Sequence, residues 1–143
     1  MRIENEREYR ISGAWLRRFE QSLEQLQRAP LGNEHPKLRQ ARLEALQSQI
    51  EDLREQMAQY EALRRREVRS VQVSSLEDLP EALIKARIAA GLTQEQLAKR
   101  LKLKKQQIQR YEATHYASAS LERLIEIARA LNVQIKAEVV FGR

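Results

Sequence analysis

The 143 residues predict a mainly α protein in two parts: an N-terminal antiparallel helical hairpin, then a compact domain of short helices that ends in a strand. Three observations predict it. Apolar residues recur at alternating steps of three and four through two long stretches of the first half, the spacing that puts them on one helix face. A capping box, Thr93 with Gln96, opens a short helix in the second half. The final stretch, residues 133–141, alternates apolar with polar side chains and so reads as a strand.

Composition narrows the function. The chain is 42% hydrophobic, 32% charged and 5% aromatic, which suits a soluble, helix-rich protein with one modest core and an appendage. With no cysteine there is neither a disulfide framework nor a thiolate metal site, and two histidines make any metal improbable, so no cofactor is expected. Four glycines form no phosphate-binding loop, and no histidine clusters with carboxylates, so the chain does not read as an enzyme. The polar start MRIENEREYR leads into no apolar leader core, and no run is long enough to cross a membrane, so a cytoplasmic location is expected. A net charge of +6 favours a polyanionic partner.

Taken in order, residues 1–8 read as frayed and order begins near Tyr9. Ser12 is a good N-cap, and Ile11 with Leu16 forms a hydrophobic staple, so the first helix is expected over 13–28. Leu16, Phe19, Leu23 and Leu26 form its apolar face, with Trp15 beside them. Pro30, Gly32 and Asn33 end it. Pro36 suits the first turn of a second helix that runs to about residue 67, along which Leu43, Leu46, Ile50, Leu53, Met57 and Tyr60 form a seam. The first helix, roughly 24 Å long against roughly 46 Å, covers only half of that seam. Leu53, Met57 and Tyr60 therefore need another cover: a second subunit, the rest of the chain or a different protein. Arginines 64, 65, 66 and 69 read as a solvated helix end.

Residues 68–75 form a linker, and 76–132 a second domain. Its first helix opens near Pro80, carries Leu83, Ile84 and Ile88 inward and stops at Gly91. From Thr93 the next helix carries Leu97, Ala98 and Leu101 on one stripe. The pattern resets at Leu103 and Ile108, so two short helices meet at a tight turn. A last helix, capped by Ser120, carries Leu121, Leu124, Ile127, Ala128 and Leu131 inward and ends at Asn132. His115 and Tyr116, in the loop before it, are candidate backbone contacts or simply solvated.

Lys99, Arg100, Lys102, Lys104, Lys105 and Arg110 lie between 99 and 110 with no acidic residue among them. Gln106, Gln107 and Gln109 are interleaved, and a glutamine amide can pair bidentately with an adenine edge. Cations for phosphates and amides for bases describe a DNA-reading face, the alternative being a basic helix that is merely solvated.

The run LIKARIAAGLTQEQLAKRLKLKKQQIQRYEA, followed by SLERLIEIARALNV, resembles the phage-repressor-like (Xre-type) helix-turn-helix family, which has the lambda-repressor-like fold. The resemblance rests on Arg87, then Gly91, Leu92, Thr93 and Gln94, then Leu97 and Ala98, then Ile108, Glu112, Ala130 and Leu131. It implies that Gln94 holds the DNA backbone, that Lys104, Lys105, Gln106, Gln107 and Arg110 line the recognition helix, and that Arg87 and Glu112 form a buried structural ion pair. Within that scheme Lys105, Gln106, Gln107 and Arg110 are the candidate base readers; Lys99, Lys102 and Lys104, with Gln94, are the candidate phosphate contacts. Two positions depart from the family pattern: Lys102 stands where the turn usually has Gly, and Lys104 where the N-cap is usually Ser or Thr. A positive φ is awkward for lysine, so strain or a negative φ is expected at the turn.

In the terminal segment, residues 133–143, one face of the expected strand carries Ile135, Ala137 and Val139, the other Lys136 and Glu138. A strand needs a partner, either the linker near Val71 and Val73 or the same strand of a second subunit. The expected function is a sequence-specific transcriptional regulator. By resemblance it is the antitoxin and autorepressor of a toxin–antitoxin module, a homodimer on a near-palindromic duplex operator with a cognate toxin as a further partner. The alternative is a protein-interaction adaptor that uses the hairpin.

Overall fold

The computed structural model describes residues 2–142 and divides into two compact units, Met1–Glu67 and Val68–Arg143. Six α-helices form them among the described residues.

The first unit is the hairpin of α1 (Glu6–Arg28) and α2 (Pro36–Arg64). Helix α1 starts more than a turn earlier than Ser12 predicts. Asn5 is the N-cap, its side chain accepting from the Glu8 amide at 2.8 Å, and Glu6 and Glu8 in the first turn suit the positive end of the helix dipole. Ser12 instead lies buried inside the helix, and Ile11 is exposed, so the expected staple does not form. Long-range packing favours the earlier start: the ring of Tyr9 stacks on Tyr60 with centroids 5.0 Å apart, and its hydroxyl donates to Glu61.

That earlier start corrects the expectation of a half-covered seam. With α1 at 23 residues and α2 at 29, the two helices are closer in length than 13–28 against 36–67 would be. Tyr60 is only 5% exposed, Met57 lies against Gly13, and Leu53 is half-buried. These three side chains belong to the hairpin's own packing and offer no free seam. At the loop, Arg39 closes the end of α1 by donating to the carbonyls of Leu26 and Gln27, and His35 caps α2. Glu6 with Arg64 and Glu20 with Arg54 add ion pairs across the two helices.

In the second unit, a 3-10 turn at Leu76–Asp78 leads into α3 (Leu79–Ala89), followed by α4 (Gln94–Leu101), α5 (Lys105–Ala113) and α6 (Leu121–Ala130). Leu83, Ile84, Leu97, Ile108 and Ile127, one or two from each helix, are essentially inaccessible and form the core. At about 1.5 to 3 kcal/mol for each fully buried aliphatic side chain, these five contribute most of the drive to assemble such short helices. Gly91, at φ +73°, ends α3, and Thr93 caps α4 through both bonds of the capping box. Ser120 caps α6 by accepting from the Arg123 amide.

Three expectations here are corrected. Leu121 is exposed on α6, because the core is already filled from Ile127, Ala128 and Leu131. Tyr116 is buried against Tyr111 and does not face outward from its loop. Residues 133–142 form no strand, and neither does the linker near Val71 and Val73. Without a paired neighbour the terminal segment has nothing to hold it as a strand, and Val139, Val140 and Phe141 are exposed.

Candidate nucleic-acid interface

The two short helices and their turn are held from below by one polar cluster. Arg87 of α3 donates from Nε to Glu112 Oε2 at 2.6 Å and from Nη2 to Oε1 at 2.9 Å, while its Nη1 donates to the Leu92 carbonyl at 2.8 Å. Both side chains are buried, Arg87 at 3% and Glu112 at 1% exposure. A bidentate pair with satisfied neighbours is the arrangement in which a buried charge is tolerated. Gln94 joins it, donating from Nε2 to Glu112 Oε1 at 3.0 Å. One cluster therefore fixes α3, the start of α4 and the inward side of α5 together.

Above it, the turn adopts the conformation that its lysine makes awkward. Lys102 sits at φ 58°, ψ 38°, in the left-handed region, and the Leu103 amide closes the turn on the Ala98 carbonyl at 2.8 Å. The alternative of a negative φ is not adopted; the left-handed backbone costs Lys102 about 1 kcal/mol relative to glycine. Lys104 stands at the N-cap of α5 and makes no side-chain capping bond. The Gln107 amide turns back onto the Lys104 carbonyl at 3.0 Å, and the exposed Lys104 and Lys105 put two cations at the end of this nine-residue helix where its dipole favours an anion.

The buried side of α5 is Ile108, Tyr111 and Glu112. Lys105, Gln106, Gln109 and Arg110 are therefore turned to solvent, and Lys99, Lys102 and Lys104 are exposed with them. Two residues stand apart. Gln107 is half-buried and donates from its amide to the Tyr111 hydroxyl at 3.1 Å, so it is only partly available. Arg100, in the middle of the basic run, donates to the Ala130 carbonyl at the end of α6 at 3.1 Å and serves the fold. Gln109, which the residue types name but the family resemblance leaves out of the candidate base readers, is outward as well. Its position three residues after Gln106 is the signal, since i and i+3 share a helix face.

Beneath α5, Tyr111 and Tyr116 stack with centroids 5.8 Å apart. Burial, and secondly the Glu112 carboxylate, push the Tyr116 phenol well above its usual value, so it remains neutral throughout the physiological range.

Residues 83–136 match the family model described as helix-turn-helix. This segment is an Xre-type helix-turn-helix domain. In its terms α4 is the first helix of the motif and α5 the recognition helix, and the chain that carries it is a DNA-binding transcriptional regulator. No curated protein and no solved structure matches the chain. No helix among the described residues is long and apolar enough to cross a membrane.

Proposed function

We propose that the protein is a dimeric, sequence-specific repressor that silences its own operon as the antitoxin of a toxin–antitoxin module. The observation that carries the reading is the outward side of α5, where Lys105, Gln106, Gln109 and Arg110 stand together with no carboxylate among them. Gln106 and Gln109, with Gln107 as far as its bond to Tyr111 allows, present amides to base edges in the major groove; Lys105 and Arg110 read guanine edges or hold phosphates beside them. Lys99, Lys102 and Lys104, with the first amides of α5, hold the backbone that sets the register, and Gln94 does so from the start of α4 as far as its bond to Glu112 allows.

Dimerisation falls to the terminal segment. Its apolar residues, Ile135 and Val139 among them, are exposed, and paired with a second copy about Ala137 they form the strand that a single chain does not. In that register Lys136 faces Glu138 of the second copy twice over, each pair contributing roughly 0.2 to 1 kcal/mol. The resulting two-fold axis sets half-sites about 34 Å apart, hence a near-palindromic operator.

The test is a titration of the full chain against the DNA upstream of its own coding sequence. A protected, near-palindromic site whose affinity falls steeply with salt supports the reading. Equal binding to that DNA and to scrambled duplex contradicts it.

A further inference from the structure

Helix α1 turns a second face to solvent, away from α2. Ile11 and Trp15 are 42% and 47% exposed one turn apart, Phe19 stacks on Trp15 at 5.7 Å, and the Arg18 guanidinium lies 5.2 Å over the same indole. Arg7, one turn before Ile11, extends the line, and the exposed Arg10 flanks it. The carboxylates of this helix are used elsewhere: Glu6 pairs with Arg64, Glu20 with Arg54 and Glu24 with Arg28, while Glu8 accepts from the Glu4 amide. Arg7, Arg10 and Arg18 make no ion pair among the described residues.

We infer that this face docks an acidic, amphipathic helical segment of a second protein, which lays apolar side chains on Ile11, Trp15 and Phe19 and sets carboxylates against Arg7, Arg10 and Arg18. The inference goes beyond the DNA reading and does not depend on it. Charge selects the occupant. A second copy of the same face would set Arg7, Arg10 and Arg18 against their own kind, with Glu8 the one carboxylate of the helix not already ion-paired to answer them. A phosphate backbone would satisfy the arginines and leave the aromatic strip unburied. A lipid surface would want the broad apolar face that α1 has already spent on α2. A narrow strip of exposed Trp, edged by arginine, is the composition that dominates protein interfaces, and its line along one helix suits a helical partner.

Trp15 is the chain's only tryptophan, so its emission reports directly on the face. The full-length protein is panned against a display library of random peptides, and the best binder is synthesised. Acid-rich peptides with apolar residues at helical spacing are expected, and the best of them shifts Trp15 emission to the blue. Its affinity falls about tenfold or more in Trp15→Ala and again in the pair Arg7→Glu, Arg18→Glu. All three positions are exposed, so the variants stay folded, with only the surface contacts of Trp15 lost, and bind DNA unchanged. Neutral or basic winners, or binders indifferent to these substitutions, overturn the inference. So does an emission shift given by phosphatidylserine vesicles or duplex DNA and not by the acidic peptides. Failure of the parent chain to bind DNA would remove the proposed function and leave this test standing.

Discussion

The Arg87–Glu112 pair joins α3 to α5 and, through Gln94, to α4. Removing either partner leaves the other charged and buried, an expected loss of about 3 to 5 kcal/mol. Removing both should cost clearly less than the two single losses added together, because the stranded charge is then gone. A double-mutant cycle by urea melts of Arg87→Met, Glu112→Leu and the double variant measures the coupling, and purely additive losses would contradict it. Tyr116 makes a second residue-level prediction. Its hydroxyl is buried with no hydrogen-bond partner among the described residues, and burial raises its pKa, so the folded chain favours the neutral phenol. That share of stability is complete below the unfolded value of about 10 and is lost as the pH climbs above it. Tyr116→Phe should therefore leave stability at neutral pH unchanged or improved, and should blunt the loss above about pH 10. Urea midpoints across the alkaline range decide it: a variant that is weaker at neutral pH, or that loses stability just as steeply in alkali, would be inconsistent with the assignment.

At the scale of elements, what was legible in the sequence follows the distance over which each signal acts. Thr93 with Gln96, Ser120, and Gly91 after α3 fix helix ends through groups no more than four residues away, and reading them in order places those ends correctly. The start of α1 is different. Asn5 and Ser12 are both competent caps, and the choice between them is made by Tyr9 meeting Tyr60, about a third of the chain away. Local patterns divide: Glu6 and Glu8 after Asn5 favour the earlier cap, and Ile11 with Leu16 the later one, so the distant contact decides. The same reasoning explains Leu121, whose helical spacing fits the inward stripe but whose place in the core is already filled. The terminal strand was read from a true alternation, yet alternation marks only the capacity to pair. Asn5→Ala should accordingly cost about 1 kcal/mol through the lost cap, whereas Ser12→Ala, which deletes a buried hydroxyl without a partner among the described residues, should be neutral or stabilising. Thermal melts of the two variants check this, and the reverse order of stability would restore the later helix start.

For the whole molecule, the site was legible to the extent that residue type and spacing sufficed. Lys99, Lys102, Lys104, Lys105, Gln106 and Arg110 are all exposed. Arg100 needed coordinates, because only folding brings Ala130 to it, whereas Gln107 lies one turn before Tyr111 and its bond follows from helical spacing. Assembly is the molecular property with the most consequence for binding. Deleting residues 133–143 removes no core side chain of the helical domain, so the shortened chain should stay folded, become largely monomeric and bind a two-half-site operator far more weakly. Sedimentation of the two forms checks it, and a truncated chain that remains a tight dimer would place the interface elsewhere.

The central claim is that α5 reads bases while the turn holds phosphates. Fluorescence-anisotropy titrations of Gln106→Ala and Lys102→Ala, each on the preferred duplex and on a scrambled one, test it most directly. Gln106→Ala should lose about 1 to 3 kcal/mol on the preferred site and almost nothing on the scrambled one, while Lys102→Ala weakens both alike and lowers the salt slope by about one. If Gln106→Ala weakens the two duplexes equally, the recognition helix contributes charge and not sequence, and the claim fails.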